Sequence, residues 1–330
     1  MRAGNDVSAD GVLQNRLKPF ALLLALLLGM GHLLAQPAAS KTTEVLKVGS
    51  SSINVVISGA KPDLSYDMLL AYVGDAAHAV SHYYGTFPVD RAQLQIVVVP
   101  GRAGVLQGTT WGDRDGFPAV VRLRIGEHTS EDNLRADWKL THEFVHTALP
   151  SLPDDQHWLE EGIATYVEPI ARYQSGFLTK KQVWLGMVDG MPNGEPGISD
   201  LGLDNTHTWG RTYWGGALFC MVADIQIRQR TKNVFGLQDA LAAIVQVHGS
   251  IDDEWPIERV LAVADKRTGT TVLEDLYKSW RASPVKIDLN GLWSQLGVSE
   301  SGDSVSFSDS APLADVRDTI LRARRMSDIP

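Results

Sequence analysis

Apolar and polar positions divide the chain into a first half with strand-like periods and a second half with helical ones. In the first half, Leu46–Ile57 (LKVGSSSINVVI) predicts one or two strands, Leu94–Val99 (LQIVVV) a buried strand, and Ala119–Ile125 (AVVRLRI) another. Asp67–Tyr84, between the first two, carries apolar residues at helical spacing, and Tyr84-Gly85-Thr86-Phe87-Pro88 supplies the turn after it. From Thr129 onward the helical period takes over. Thr129 or Ser130 predicts an N-cap, with Glu131 and Asp132 in the first turn where they favour the helix dipole, and Leu134, Trp138, Val145 and Leu149 form the expected buried stripe. Pro150 and Pro153 stop that helix, Asp154 or Asp155 caps the next, and Gln174-Ser175-Gly176 ends it. Residues 186–210, rich in Gly, Pro, Asn and Asp, predict a long surface loop. Leu237–His248, Glu254–Lys266, Val272–Arg281 and Leu289–Leu296 read as amphipathic helices. Val305–Phe307 reads as a short strand, and Pro312–Arg325 as a last helix with Arg322, Arg324 and Arg325 on a solvated face.

The first forty residues have a different composition. Arg16 and Lys18 precede the apolar run Phe20–Met30, and the small residues Ala35, Ala38 and Ala39 follow, which is the layout of a secretory signal peptide cleaved after Ala35. The alternative is an N-terminal membrane anchor. Against it, the run is short of the ~20 residues a spanning helix needs and is interrupted by Gly29, Gly31 and His32. Export therefore predicts a periplasmic or secreted protein, with no stable membrane insertion after signal cleavage. The whole chain has a net charge of -9, and removing residues 1–35, with three basic and two acidic side chains, leaves -10. Such an acidic protein has no evident affinity for nucleic acid. Cys220 is the lone cysteine and lies in an apolar run, so it reads as a buried small hydrophobe rather than half of a disulfide.

Candidate chemistry gathers in Thr141–Tyr166 (THEFVHTALPSLPDDQHWLEEGIATY). His142 and His146 are four residues apart, so on a helix both imidazoles leave one face and can share a metal ion. Glu143 leaves the same helix about 100° away from His142, near enough to act on water without being a ligand. At background frequencies H-E-x-x-H occurs in roughly one chain in a hundred of this length, so the motif alone is compatible with an ordinary surface helix. A catalytic zinc site takes three protein ligands, and the helix after Pro153 offers Glu161, separated from His146 by fourteen intervening residues, beside Glu160 and His157.

H-E-F-V-H followed by W-L-E-E-G-I-A-T-Y resembles the gluzincin metallopeptidases, in particular the aminopeptidase-N and glycyl-aminopeptidase families. In those families the glutamate directly before the glycine is the third zinc ligand, which the resemblance places on Glu161, with His157 a weaker rival. Tyr213-Trp214-Gly215-Gly216-Ala217-Leu218 resembles their Y-x-K-G-A segment and implies that Tyr213 stabilises the oxyanion, with Gly215 in place of the lysine and His207 an alternative donor. Arg211 is a candidate partner for a substrate carboxylate. The edge strand that runs along the cleft in these enzymes falls by position on Val120–Arg124, the alternative for Gly108–Trp111 and Ala119–Ile125 being an ordinary internal hairpin. The glutamate that holds a substrate's amino group in aminopeptidase N has no counterpart in Gly108-Thr109-Thr110-Trp111-Gly112, which leaves Glu127 as the nearest candidate.

The resemblance implies an α+β, zincin (thermolysin-like) catalytic domain with a small N-terminal sheet lobe at 41–130, a zinc-binding helical region at 131–232 and a C-terminal helical lobe at 233–330. It also implies a zinc-dependent peptidase acting on a peptide or protein substrate. One Zn2+ is held by His142, His146 and Glu161, water activated by zinc attacks the peptide bond, and Glu143 is the general base. The competing expectation is a catalytically inactive relative that binds peptides or cell-wall material.

Overall fold

The computed structural model describes residues 41–323; the expected signal peptide, and Arg324 and Arg325 of the last expected helix, lie outside the described residues. The alternating segments of the first half form one five-stranded sheet in the order β1-β2-β3-β5-β4. Its strands are β1 (Thr42–Val48), β2 (Ser51–Gly59), β3 (Arg91–Val99), β4 (Val105–Arg114) and β5 (Phe117–Gly126). β2 pairs parallel with β3 and β3 with β5, while β1 and β4 pair antiparallel at the two edges. The period of two puts Ile53, Val55 and Ile57 of β2, Leu94, Ile96 and Val98 of β3, and Val121, Leu123 and Ile125 of β5 on one buried face. That face shares a core with Leu69, Val73, Ala77 and Val80 of α1 (Tyr66–Tyr84), the helix connecting β2 to its parallel neighbour β3.

The edge position differs from expectation. Val120–Arg124 lies in β5, flanked by β3 and β4, so the edge strand is β4 with Gly108–Trp111 inside it. The tight turn at Asp115-Gly116, both at positive φ, folds β4 and β5 into a hairpin. β5, with an apolar inner face, takes the interior place, and β4, with Gly108, Thr109 and Gly112, takes the rim.

Helices follow. The expected single helix after Ser130 is two: α2 (Glu131–Ala136), capped by Ser130, and α3 (Lys139–His146). Asp137 breaks them with an extended backbone at ψ 139°. Its carboxylate accepts the amide of Leu140 at 3.1 Å and the hydroxyl of Tyr72 from α1, so it caps α3 and ties it to the sheet's covering helix. The break resets the helical phase, which leaves Trp138 45% exposed although Leu134, Val145 and Leu149 are buried as the stripe predicts. α4 (His157–Gln174) follows the Pro150–Pro153 turn and ends at the expected stop. The expected loop at 186–210 begins later, because Lys180–Gly190 forms α5, with Thr179 and Gln182 in a capping box and Trp184 and Met187 buried.

Past the loop lies α6 (Gly216–Thr231), entered through a π-helical turn at Gly210–Gly215. Asp224 on α6 accepts from Tyr166 of α4 at 2.9 Å, from Arg228 at 2.8 Å and from the amide of Leu237 at 2.8 Å. α7 (Leu237–Gln246), α8 (Ile257–Thr268), α9 (Val272–Trp280) and α10 (Leu289–Leu296) match the amphipathic blocks. The hairpin β6 (Val298–Ser301) and β7 (Ser304–Phe307) and a shorter last helix, α11 (Ala314–Ile320), complete the described residues. No helix among them is long and apolar enough to cross a membrane. Cys220 is buried and free, and burial pushes its thiol well up.

Candidate metal centre

The helical spacing of His142 and His146 carries both rings to one side of α3, with centroids 4.9 Å apart. Glu161, in the second turn of α4, meets them: its Oε2 stands 3.0 Å from His142 Nε2 and 3.5 Å from His146 Nε2. One ligand atom from each of the three residues lies within 4.8 Å of the others. Donors held ~2.0–2.2 Å from a tetrahedral ion are about 3.3–3.6 Å apart, and Glu161 Oε2 stands close to that spacing from each imidazole, so the donor set suits zinc. Burial, against the opposing hydrogen bond of Glu161, lowers the pKa of His142, which keeps the lone pair a metal needs. Burial also works to raise Glu161, but hydrogen bonds from His142, His146 and His157 prevail and hold its carboxyl well below the usual range.

The approach of α4 to α6 is set by glycine. A Cβ on Gly162 would lie 2.3 Å from the Gly216 backbone, and one on Gly216 would lie 2.1 Å from the carbonyl of Trp158. Each glycine follows a residue of interest: Glu161 precedes Gly162, and Tyr213 sits in the π-helical turn just before Gly216. The crossing thus brings Tyr213 to the candidate metal-binding cluster, its ring stacked at 6.2 Å from that of His142. Burial, then the charges of Glu161 and Glu143, push the Tyr213 hydroxyl up to about 12, so it remains a donor at any ordinary pH. His207 is exposed, 4.0 Å from Asp155, and is not among the residues lining the cleft. Arg211 is buried in an ion pair with Asp200 at 2.7 Å and is therefore unavailable to substrate.

Glu143 is placed by two residues of β4. Thr110 Oγ1 donates to its Oε2 at 2.7 Å, and Gly108 makes room for the rest, since a Cβ there would lie 2.5 Å from both Cγ and Oε1 of Glu143. Sequence reasoning missed both; a glycine within a strand is a weak signal of close approach, and Thr110 has none. It also missed a second function for His157. Rather than joining the three donors, His157 donates through Nδ1 to Glu160 Oε2 (2.6 Å) and stands 3.3 Å from Glu161 Oε1 through Nε2. These contacts push it up to about 10. Glu160 also accepts the amide of Leu152 at 2.9 Å, which anchors His157 to the turn between α3 and α4. Glu161 is therefore held on both oxygens, Oε1 by His157 and Oε2 facing the two histidines.

The cleft over these residues has a volume of about 730 Å³ and is walled by β4 from Leu106 to Gly112. Gly112 closes one end, where a Cβ would meet the Ile251 carbonyl. Glu127 is not among the lining residues; its Oε2 accepts the amide of Gly101 at 2.9 Å, so it is not placed to hold a substrate amine.

Comparison with solved structures places the fold. An aminopeptidase N family protein from Idiomarina loihiensis superposes with a TM-score of 0.57 at 15% identity, over 78% of this chain and 49% of that one. The chain shares the fold of an aminopeptidase N family protein. An M1 zinc metallopeptidase from Deinococcus radiodurans is also similar, with a TM-score of 0.48 at 14% identity over 76% of this chain and 53% of that one. The chain spans about half the length of both structures. No family profile and no curated protein sequence matches it. Within this mixed fold of sheet and helices, the His142, His146 and Glu161 cluster lies beside the edge strand.

Proposed function

We propose that this chain is a zinc-dependent peptidase with a thermolysin-like catalytic arrangement. The observation that carries the reading is the convergence of His142, His146 and Glu161 with Glu143 beside them in the same cleft. Zinc, when bound by those three residues, supplies Lewis acidity that acidifies water and polarises a carbonyl. Glu143 takes the proton of the attacking water at Oε1, the oxygen that Thr110 does not engage, and passes it to the leaving amine. Tyr213 donates its hydroxyl to the carbonyl oxygen as charge develops there, and its high pKa keeps the proton on the phenol until then. The free edge of β4 offers N–H and C=O groups to an extended peptide, which pairs as an additional strand.

The competing reading of an inactive binder gains support if Tyr213 is remote from the cluster, and Tyr213 lines the same cleft. The deciding experiment is Glu143→Gln in the mature protein, with zinc per chain and hydrolysis of a peptide library measured together. The expected result is unchanged zinc with hydrolysis reduced about 10²- to 10⁴-fold. Hydrolysis that survives the substitution refutes the mechanism, and a wild-type protein that takes up zinc without cleaving any peptide favours the binder.

A further inference from the structure

The face of the sheet turned away from α1 has no function in the reading above. Strand register sets Lys47, Ser52 and Arg91 in one row, Gln95 and Arg122 in another, and Val97, Arg124 and Gln107 in a third, with Lys41 beside Ser58 at the edge. A hollow of about 780 Å³ lies over this face, and its lining includes Lys41, Arg122 and Arg124 but no carboxylate. Among the described residues, none of the five cations Lys41, Lys47, Arg91, Arg122 and Arg124 is in an ion pair. In a chain with 39 acidic and 30 basic residues, five unpaired cations on one sheet face are a local reversal of sign.

We propose that this face is an exosite for an extended acidic polypeptide segment, continuous with the cleft. Gln107, Thr109 and Trp111 of β4 belong to both the cleft wall and the hollow, so a polypeptide leaving the cleft across β4 runs onto the cationic face. Gln93, Gln95 and Gln107 offer amide donors and acceptors that match peptide groups. Trp111 is already in contact with two guanidinium groups, Arg114 at 4.5 Å and Arg122 at 5.4 Å, so its ring is not a free platform for stacking a nucleobase. The net negative charge elsewhere repels acidic chains, and this face accepts them in one orientation. That the partner is a polypeptide rests on the peptidase reading; the charge complementarity does not.

The test is fluorescence anisotropy with a fluorescein-labelled peptide of alternating Glu and Gly and a control of alternating Gln and Gly, against the full mature chain carrying Glu143→Gln to prevent turnover. The acidic peptide is expected to bind, the control not to, and binding to weaken as salt is raised. Arg122→Gln with Arg124→Gln in the same background is expected to weaken binding about fivefold, as the loss of two exposed ion pairs. Because Arg122 also bonds Gln95, Arg124→Gln alone is measured as well, with a thermal melt on each variant. Absent binding, binding insensitive to Arg124→Gln in a folded protein, or binding to phosphatidylglycerol vesicles without binding to the peptide overturns the proposal. If the wild type cleaves no peptide while the acidic peptide still binds through Arg124, the peptidase reading fails and the exosite stands.

Discussion

Gly108→Ala separates the position of Glu143 from everything else in the site. The added methyl would lie 2.5 Å from Cγ and Oε1 of Glu143 and 2.8 Å from Cδ. Carbon contacts settle near 3.5–4.0 Å, so the carboxylate must retreat by about 1 Å or more. A displacement of that size in a catalytic group costs about 10²-fold in rate. Stability changes little. Glu143 yields because it is the flexible partner, the bond from Thr110 is worth about 1 kcal/mol, and replacing a strand glycine by alanine returns roughly 0.5–1 kcal/mol. The nearest atoms to the new methyl all belong to Glu143 and none to a zinc ligand, so metal content should hold. The assay is kcat/KM on a cleaved peptide, with zinc per chain and a thermal melt on the same preparation. Activity within about threefold of wild type, in a folded and zinc-loaded variant, would refute the claim that Glu143 acts from this position.

Gly162→Ala places its methyl against backbone rather than a movable side chain, 2.3 Å from the Gly216 Cα and carbonyl carbon. It should cost about 1–3 kcal/mol or more and lower zinc content together with the melting temperature, read by calorimetry and metal analysis. His157→Phe removes the contact that holds Glu161 Oε1; zinc affinity measured by chelator competition should fall about 10- to 100-fold in a normally folded protein, and an unchanged affinity would show that the contact positions nothing. Glu168 lies buried against Arg172, and burial, only partly opposed by that arginine, pushes its carboxyl up to about 7 from an ordinary value of 4.5. The folded state therefore holds a proton that the unfolded state has lost between those values, so stability falls as pH rises through this window. Glu168→Gln should flatten that part of the curve of unfolding free energy against pH, and an unchanged slope would remove Glu168 as its source.

Much of this protein was legible in the chain because the relevant chemistry is periodic or local. Alternation marked β2, β3 and β5, the helical period marked α1 and α7 to α10, and four-residue spacing put His142 and His146 on one face, since each depends on backbone geometry that repeats over a few residues. Glu161 was reachable for a similar reason: two helices joined by a short proline-bounded turn must return on one another. The tertiary structure decided what depends on contacts between distant segments. Which strand forms the edge followed from the β4–β5 hairpin rather than from composition, so β5 was misplaced. The break at Asp137 reflects a bond to Tyr72, 65 residues away, which no window around α3 contains. Tyr213 is near the His142, His146 and Glu161 cluster through the Gly162–Gly216 crossing, Glu143 is held by Gly108 and Thr110 from β4, and the cations of the outer sheet face come together only once four strands are in register. Sequence fixes periods and spacings; the packing of segments remote along the chain fixes which of their side chains meet.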